Sequence, residues 1–423
     1  MSLPQIASTV IFIGSVALIA TEKVKREVAA LLGGSLVIIL GILPQDKAFH
    51  YIDLNTLGLL LGMMVVAGVL KETGLFEYLA IKAIKLGKGN GWIIFMYLSG
   101  VTALVSTVIN NVTTVLLVAP IALSMAEIMK INALPYIYGI VFASNIGGTA
   151  TLIGDPPNVM IGSFAHLSFM DFIYNLAPVV FVIMLSLPIV IKVFFGNLTI
   201  PRESWDTISR VDEDKLIKDS KGLKLKILIL LGIILGFVFH GYIGLPAATV
   251  AIFGAMIMIL PCGEEADRIV KESVELNTLL FFIGFFIMVG ALEHTGVINS
   301  LGNFFVKYMR GKPILASNVL LWGSGFISAF VDNIPYTAAM LYFVDDLIKH
   351  AHFSSAFWWV LALGTCLGGN GTLIGASPNI VVAEIAKKSG YRITFSDFLK
   401  IGMFTMILCL VISSIYVALR YFM

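Results

Sequence analysis

The chain has 423 residues, of which 58% are apolar and only 13% charged, and its mean hydropathy is +0.95. No water-soluble globular composition is this apolar, so the class is a membrane protein. A formal net charge of +2 says nothing about partners, because in a membrane protein the distribution of Lys and Arg is what informs.

A spanning helix needs roughly 20 mostly apolar residues. The first such stretch, 4–20, has no basic residue before it and no small-residue cleavage site, and Glu22, Lys23, Lys25 and Arg26 follow it. It reads as a span and not as a removable signal. Further spans are expected near 27–43, 54–70, 136–160, 173–195, 224–241, 246–260, 276–292, 356–383 and 400–420. The apolar stretches 92–125 and 313–344 are interrupted at their middles by polar residues, and each reads as a re-entrant hairpin. With the amino terminus outside, the cytoplasmic loops and one helix end hold 22 of the 28 Lys and Arg. The positive-inside rule supports that topology, with both termini outside.

Residues 53–80 lie over 275–302 with ten identities in 28, at an offset of 222. GGTATLIGDPPN (147–158) falls on GGNGTLIGASPN (368–379) with eight identities in twelve, at an offset of 221. Five crossings per copy is an odd number, so the second copy must be inverted relative to the first, an architecture of secondary transporters. The division is 1–195 for the first repeat, with hairpin 92–125 and broken helix 136–160, then a polar linker at 196–226. The second repeat is 227–423, with hairpin 313–344 and broken helix 356–383. The linker is mixed in charge: Arg202, Glu203, Asp206, Arg210, Asp212, Glu213, Asp214, Lys215 and Lys218.

The two glycine strings put paired glycines, threonine and proline inside apolar spans, where they break the i to i−4 ladder. Unwound backbone at membrane depth is tolerated only where protein or a water-filled cavity satisfies it, so the matched breaks point to a binding site near the midplane. The alternative is a kinked, purely structural helix. At the hairpin tips, Ser106, Asn110, Asn111 and Thr113 are matched by Ser328, Asp332, Asn333 and Thr337. A single Asn in a span is more often helix-packing glue, an account that four repeat-related polar sets do not fit. Ser144 and Asn145, matched by Thr365 and Cys366, precede the glycine pairs and could reach the same site. Cys366 in a glycine-rich helix reads as a small packing residue.

Charge at the bilayer centre costs at least ~2.5 kcal/mol and is seldom idle. Two acids qualify, Asp155 and Asp332, whose repeat counterparts are Ala376 and Asn110. They are the expected proton-coupling groups; the alternative for each is a carboxylate that caps a half-helix amino terminus. No Lys, Arg or His lies within 105–116, 143–161, 327–340 or 364–382. An anionic substrate would have only helix termini, polar side chains and co-bound cations to balance it. That favours a cation, a neutral oxyacid or a cation-escorted anion. The candidate ligands are Asn110, Asn111, Thr113, Ser144, Asn145, Thr151, Asp155, Asn158, Ser328, Asp332, Asn333, Thr337, Asn370, Thr372, Ser377 and Asn379. No structural metal is expected, though sodium at the hairpin tips is a candidate, and no cofactor; the coupling ion is H+ or Na+. Three scattered cysteines argue against a disulfide framework or a thiolate metal site. The absence of HExxH, GxSxG and GxxxxGK[ST] leaves no motif for an enzyme or for nucleotide binding.

The strings NNVTT, SNIGGTATLIGDPPNV, DNIPYTA and CLGGNGTLIGASPN are carried by a chain that resembles, over nearly its whole length, the arsenite-permease and sodium/proton-antiporter group of the ion transporter superfamily. The resemblance is strongest to the branch that contains the melanosomal P protein. It implies an all-α polytopic fold of about ten transmembrane helices plus two hairpins, with a scaffold of outer spans. The hairpins and broken helices would form a transport domain that moves as an elevator. Carried over, the ion-site positions fall on Asn110, Asn111, Asp155, Asn158, Asp332, Asn333, Asn370, Thr372 and Asn379. The expected function is secondary active transport in the inner (plasma) membrane: export of arsenite or a related small oxyacid or anion, coupled to protons or sodium. Sodium/proton antiport is the alternative, and a passive channel the alternative of another class. The expected partners are the lipid bilayer and a small inorganic ion, not nucleic acid. A homodimer is allowed for, and an accessory ATPase subunit if the chain is an arsenite pump.

Overall fold

The computed structural model describes residues 2–20, 24–201, 205, 213–217 and 220–423. Every regular element among the described residues is helical. The first half runs Leu3–Ala20 (α1), Arg26–Ile39 (α2), Gln45–His50 (α3), Leu54–Lys71 (α4), Leu75–Leu86 (α5), Gly91–Ser106 (α6), Asn111–Met129 (α7), Leu134–Gly148 (α8), Pro156–Phe164 (α9) and Phe169–Phe195 (α10). The second runs Ser220–Ile243 (α11), Ala247–Ile259 (α12), Ala266–Ser273 (α13), Leu276–His294 (α14), Val297–Met309 (α15), Pro313–Phe330 (α16), Asn333–Lys349 (α17), Phe357–Gly368 (α18), Ser377–Lys388 (α19) and Phe395–Val417 (α20).

Among the described residues, eight helices are long and apolar enough to cross a membrane. The ten spans expected from the sequence all coincide with helices, but two of them are split, 136–160 into α8 and α9 and 356–383 into α18 and α19. The split falls where the glycine strings interrupt the ladder. Linker residues Arg202, Glu203, Asp206, Arg210, Asp212 and Lys218, together with Glu22 and Lys23, lie outside the described residues.

None of the expected spans or hairpins covers 75–86 or 297–309, yet both are helices, α5 and α15. They are short and charged on one side, which hides them from a search for continuous apolar runs. Their entry is set by Gly74 and Gly296, at φ 76° and 77°. A residue with a Cβ is strained in that left-handed conformation, so glycine lets α4 and α14 turn sharply into the helices that follow.

Burial sorts the helices into centre and rim. Every residue of α8 from Pro135 to Gly148, and every residue of α18, is buried, which marks both as central elements. By contrast α11 exposes Leu228, Leu231, Leu235 and Phe239, as a lipid-facing rim helix would. The halves interlock: α2 packs on α14 and α12 on α4, while α7 packs on α19 and α17 on α9. Two glycines at repeat-related positions permit the rim contacts. A Cβ on Gly62 would sit 2.6 Å from the Ala251 carbonyl carbon, and one on Gly284 2.5 Å from that of Ala30. Backbones that approach this closely gain van der Waals contact that lipid cannot replace.

Candidate ion and substrate site

The two helix breaks, 149–155 and 369–376, are held open by matched asparagines. Asn158 Nδ2 donates to the carbonyls of Thr149 at 3.0 Å and Thr151 at 2.9 Å. Asn379 Nδ2 donates to those of Gly369 at 2.7 Å and Thr372 at 2.8 Å. These carbonyls are the groups the broken ladder orphans, and a buried orphan costs about 1–3 kcal/mol. Hydroxyls tie each break to the neighbouring hairpin: Thr151 Oγ1 donates to the Thr107 carbonyl at 2.5 Å and Thr372 Oγ1 to that of Ala329. Ser106 Oγ donates to the Ser144 carbonyl at 2.6 Å, and Ser328 Oγ to that of Thr365 at 2.8 Å. Glycine makes the approach sterically feasible, since a Cβ on Gly147 would sit 2.5 Å from Ala103 Cα.

These anchors fix the orientation of an amide chain at the centre. With Asn379 Nδ2 committed to carbonyls, its Oδ1 must accept, and Asn145 Nδ2 donates to it at 3.0 Å and to Asn370 Oδ1 at 3.1 Å. Asn145 Oδ1 therefore faces the other way and accepts from Asn111 Nδ2 at 3.4 Å. The same Asn111 amide donates to Asp155 Oδ1 at 3.2 Å. From the second hairpin, Asn333 Nδ2 reaches Asp155 Oδ1 at 3.3 Å and Oδ2 at 3.5 Å. Asp155 is thus gripped by one amide from each hairpin, at repeat-related positions. It is buried, and among the described residues no Lys, Arg or His comes within ion-pairing distance of it. Cys366, which donates to Asn158 Oδ1 at 3.5 Å, sits against the same cage. The buried Nδ2 of Asn370 has no partner.

Asp155 stands at the N-cap of α9, just before Pro156, but makes no side-chain cap bond there. Asp332 does cap its helix, accepting from the Ile334 amide at 3.0 Å, and takes a weaker bond from Ser377 Oγ at 3.4 Å. Asn110, its counterpart, caps α7 through the Thr113 amide at 2.8 Å. The remaining candidates are engaged locally: Thr337 Oγ1 donates to the Asn333 carbonyl and Ser144 Oγ to that of Val141. The structure therefore gathers Asn111, Asn145, Asp155, Asn333, Asn370 and Asn379 around one centre. It gives Asn158, Thr151, Thr372, Ser106 and Ser328 the work of bracing backbone.

One charged residue escaped the sequence reading. Arg26, at the start of α2, donates from Nη1 to Ser377 Oγ at 2.9 Å and from Nη2 to Thr278 Oγ1 at 3.0 Å. Its guanidinium lies 5.7 Å from the centre of the Phe281 ring. The sequence windows held no basic residue, but an outer helix brings one to the edge of the second hairpin and second broken helix. Its only sequence signal is that of a basic residue at the mouth of a span, which the positive-inside rule reads for topology alone. Arg26, Asp332 and Ser377 share a cavity of about 350 Å³. A second cavity of about 360 Å³ opens beside α9 and the α11–α12 junction, with Asn55, Ser163 and His240 on its wall.

Interlocked apolar helices, two broken helices and a buried polar cage between them define a multi-pass secondary membrane transporter. The chain belongs to the citrate-transporter family: the family model described as CitMHS, citrate transporter, matches residues 16–364. Within the ion transporter superfamily it is 38% identical to the uncharacterized transporter Rv2684 of Mycobacterium tuberculosis, over 99% of each chain. It is 30% identical to the P protein of Sus scrofa over 97% of this chain, which spans only 58% of that longer protein. That relationship bears out the resemblance read from the glycine and asparagine strings. The solved YdaH transporter of Alcanivorax borkumensis shares the fold, with a TM-score of 0.63 over 88% of this chain and 86% of that one at 12% identity.

Proposed function

We propose that the chain is a secondary active carrier of a small anionic or oxyacid solute, coupled to protons or sodium at the Asp155 cage. The observation that carries the reading is a fully buried carboxylate held by Asn111 and Asn333, with no basic partner. Two amides stabilise a carboxylate only in part, and an unpaired charge in an apolar interior is expensive. A proton or a metal cation at Asp155 removes that cost, and an ion whose binding is tied to both hairpins is in position to control their movement.

The solute class is argued from Arg26 and from the family. Arsenite and related oxyacids remain the inorganic candidates, and membership of the citrate-transporter family makes a carboxylate the organic one. The two repeats are taken as inverted, with the hairpins and broken helices moving as one body against the outer helices, both termini outside and the linker in the cytoplasm. The moving-body part of this is supported by the asparagine braces within each break and by the threonine and serine bonds that tie each broken helix to its hairpin, since a moving body must be rigid internally. A second reading, sodium/proton exchange, is favoured by the cage alone, which needs no solute.

The test is flux into proteoliposomes that contain the purified chain, with imposed pH or sodium gradients and arsenite or citrate as solute. Gradient-driven accumulation of either supports the first reading. A sodium-dependent pH change without any solute supports the second, and saturation-free flux independent of both gradients contradicts carrier behaviour altogether.

A further inference from the structure

We infer that the cavity between α2 and the second hairpin is the docking site for the anionic group of the solute, with Arg26 as its counter-charge and specificity determinant. The inference rests on the anion-carrier reading above and deepens it by naming where the negative charge is recognised.

A guanidinium has five N–H donors in a rigid fork that matches carboxylate and oxyanion geometry. Arg26 is bound to two hydroxyls, Ser377 Oγ and Thr278 Oγ1, both neutral acceptors. Among the described residues, no carboxylate comes within ion-pairing distance of it. Asp332 faces the same cavity but spends one oxygen on the Ile334 amide and is met on the other by Ser377. The guanidinium thus enters the cavity without a direct ion pair, the one carboxylate on that wall, Asp332, meeting it only through Ser377. Lys25 adds a second cation on the wall, and Val16, Ile19 and Val381 make much of the rest apolar. A cavity with apolar walls and one dominant sign of charge focuses the field and raises the local concentration of counter-ions.

The placement of Arg26 ties recognition to the two bodies. Thr278 lies on α14 with the outer helices, while Ser377 opens α19, half of a broken helix. An oxyanion seated on Arg26 competes with Ser377 for the fork, so solute binding and the contact between the bodies share one residue. The repeat does not reproduce this: the position that corresponds to Arg26 at the start of α12 is Ala248, and neither Lys nor Arg lines the second cavity. The second cavity is accordingly not an anion site of the same kind.

The test uses charge-selective chemistry on the full chain. In a Cys262→Ser background, which leaves only the buried Cys366 and Cys409, Val381→Cys places a thiol on the cavity wall. Its reaction rates with anionic and cationic methanethiosulfonates of equal size are compared. Protection by citrate, succinate and inorganic phosphate at matched ionic strength is then measured. The expected result is that Arg26→Gln lowers the anionic-to-cationic rate ratio by roughly tenfold, the lower end of electrostatic focusing effects. At least one of the three anions slows modification in the parent and not in Arg26→Gln. Arg26→Lys keeps the charge but not the fork, so it keeps the rate ratio and weakens protection, and it serves if the Gln variant does not fold. An unchanged rate ratio, or protection that survives Arg26→Gln, overturns the inference. Gradient-driven anion uptake without any protection leaves the carrier reading standing and sinks this site; protection without any anion uptake does the reverse.

Discussion

Replacing Asn158 or Asn379 by Ala removes the same side chain from equivalent braces, yet the structure predicts unequal losses. In Asn158→Ala, the carbonyls of Thr149 and Thr151 both lose their partner, and no other hydrogen bond to either is present among the described residues. Two orphaned buried carbonyls at about 1–3 kcal/mol each give a cost of roughly 2–6 kcal/mol, before any cavity term. In Asn379→Ala, the Thr372 carbonyl keeps the Gly375 amide at 3.2 Å, so only that of Gly369 is orphaned. Asn145 Nδ2, which loses Asn379 Oδ1, still has Asn370. The expected loss is about 1.5–4.5 kcal/mol, one orphan plus one exchanged bond. Chemical unfolding of the purified protein in detergent measures the order, with Asn158→Ala the less stable. The reverse order, or two variants indistinguishable from the parent, would refute the claim that these amides hold the breaks open.

Gly284→Val and Gly62→Val should each destabilise by about 1–3 kcal/mol or more, because a Cβ meets the Ala30 or Ala251 backbone, which cannot yield as a side chain can; yield of folded protein by fluorescence-detected gel filtration reads this. Asn333→Leu should disturb ion binding at Asp155 more than Asn111→Leu, since Asn333 Nδ2 donates to both carboxylate oxygens while Asn111 Nδ2 divides its donation between Asp155 Oδ1 and Asn145 Oδ1; the half-saturating concentration of the coupling ion in flux assays reports it. The Lys85–Glu213 ion pair clips the linker to α5, and its side chains are about one-quarter exposed, so Lys85→Ala should cost under ~1 kcal/mol. The hydrogen bond from Lys85 holds the Glu213 carboxyl below its ordinary value. The pair's contribution is therefore fully present above that ordinary value, about 4.3, and is lost as pH falls through the lower folded value. A melting series from pH 7 to 3 on parent and Lys85→Ala should converge at the acid end.

Sequence periodicity and the internal repeat made the helices and their breaks legible, since a glycine pair and a proline inside an apolar span have few other uses. The tips were legible for the same reason: Asn111 and Asn333 occur at matched positions in otherwise apolar stretches, and both reach Asp155. Roles within the set were not. Asn145 and Asn158 look alike in sequence, and only the carbonyls around them decide which braces backbone and which bridges the centre. The two acids also looked alike, but the cap geometry separates them: Asp332 caps its helix and Asp155 does not. Helices α5 and α15 were hidden because an amphipathic segment of 12 or 13 residues carries no span signal. Arg26 was hidden because its contacts, Thr278 and Ser377, lie 252 and 351 residues away.

The central claim is that Asp155 is where ion binding is exchanged for solute movement, and Asp155→Asn tests it with little structural disturbance. The amide oxygen can still accept from Asn111 and Asn333, so the cage persists while its charge is gone. In proteoliposomes, the variant should retain solute-for-solute exchange across the membrane and lose accumulation driven by a pH or sodium gradient. Gradient-driven accumulation that survives Asp155→Asn, at the parent's rate and with the parent's ion dependence, would contradict the account.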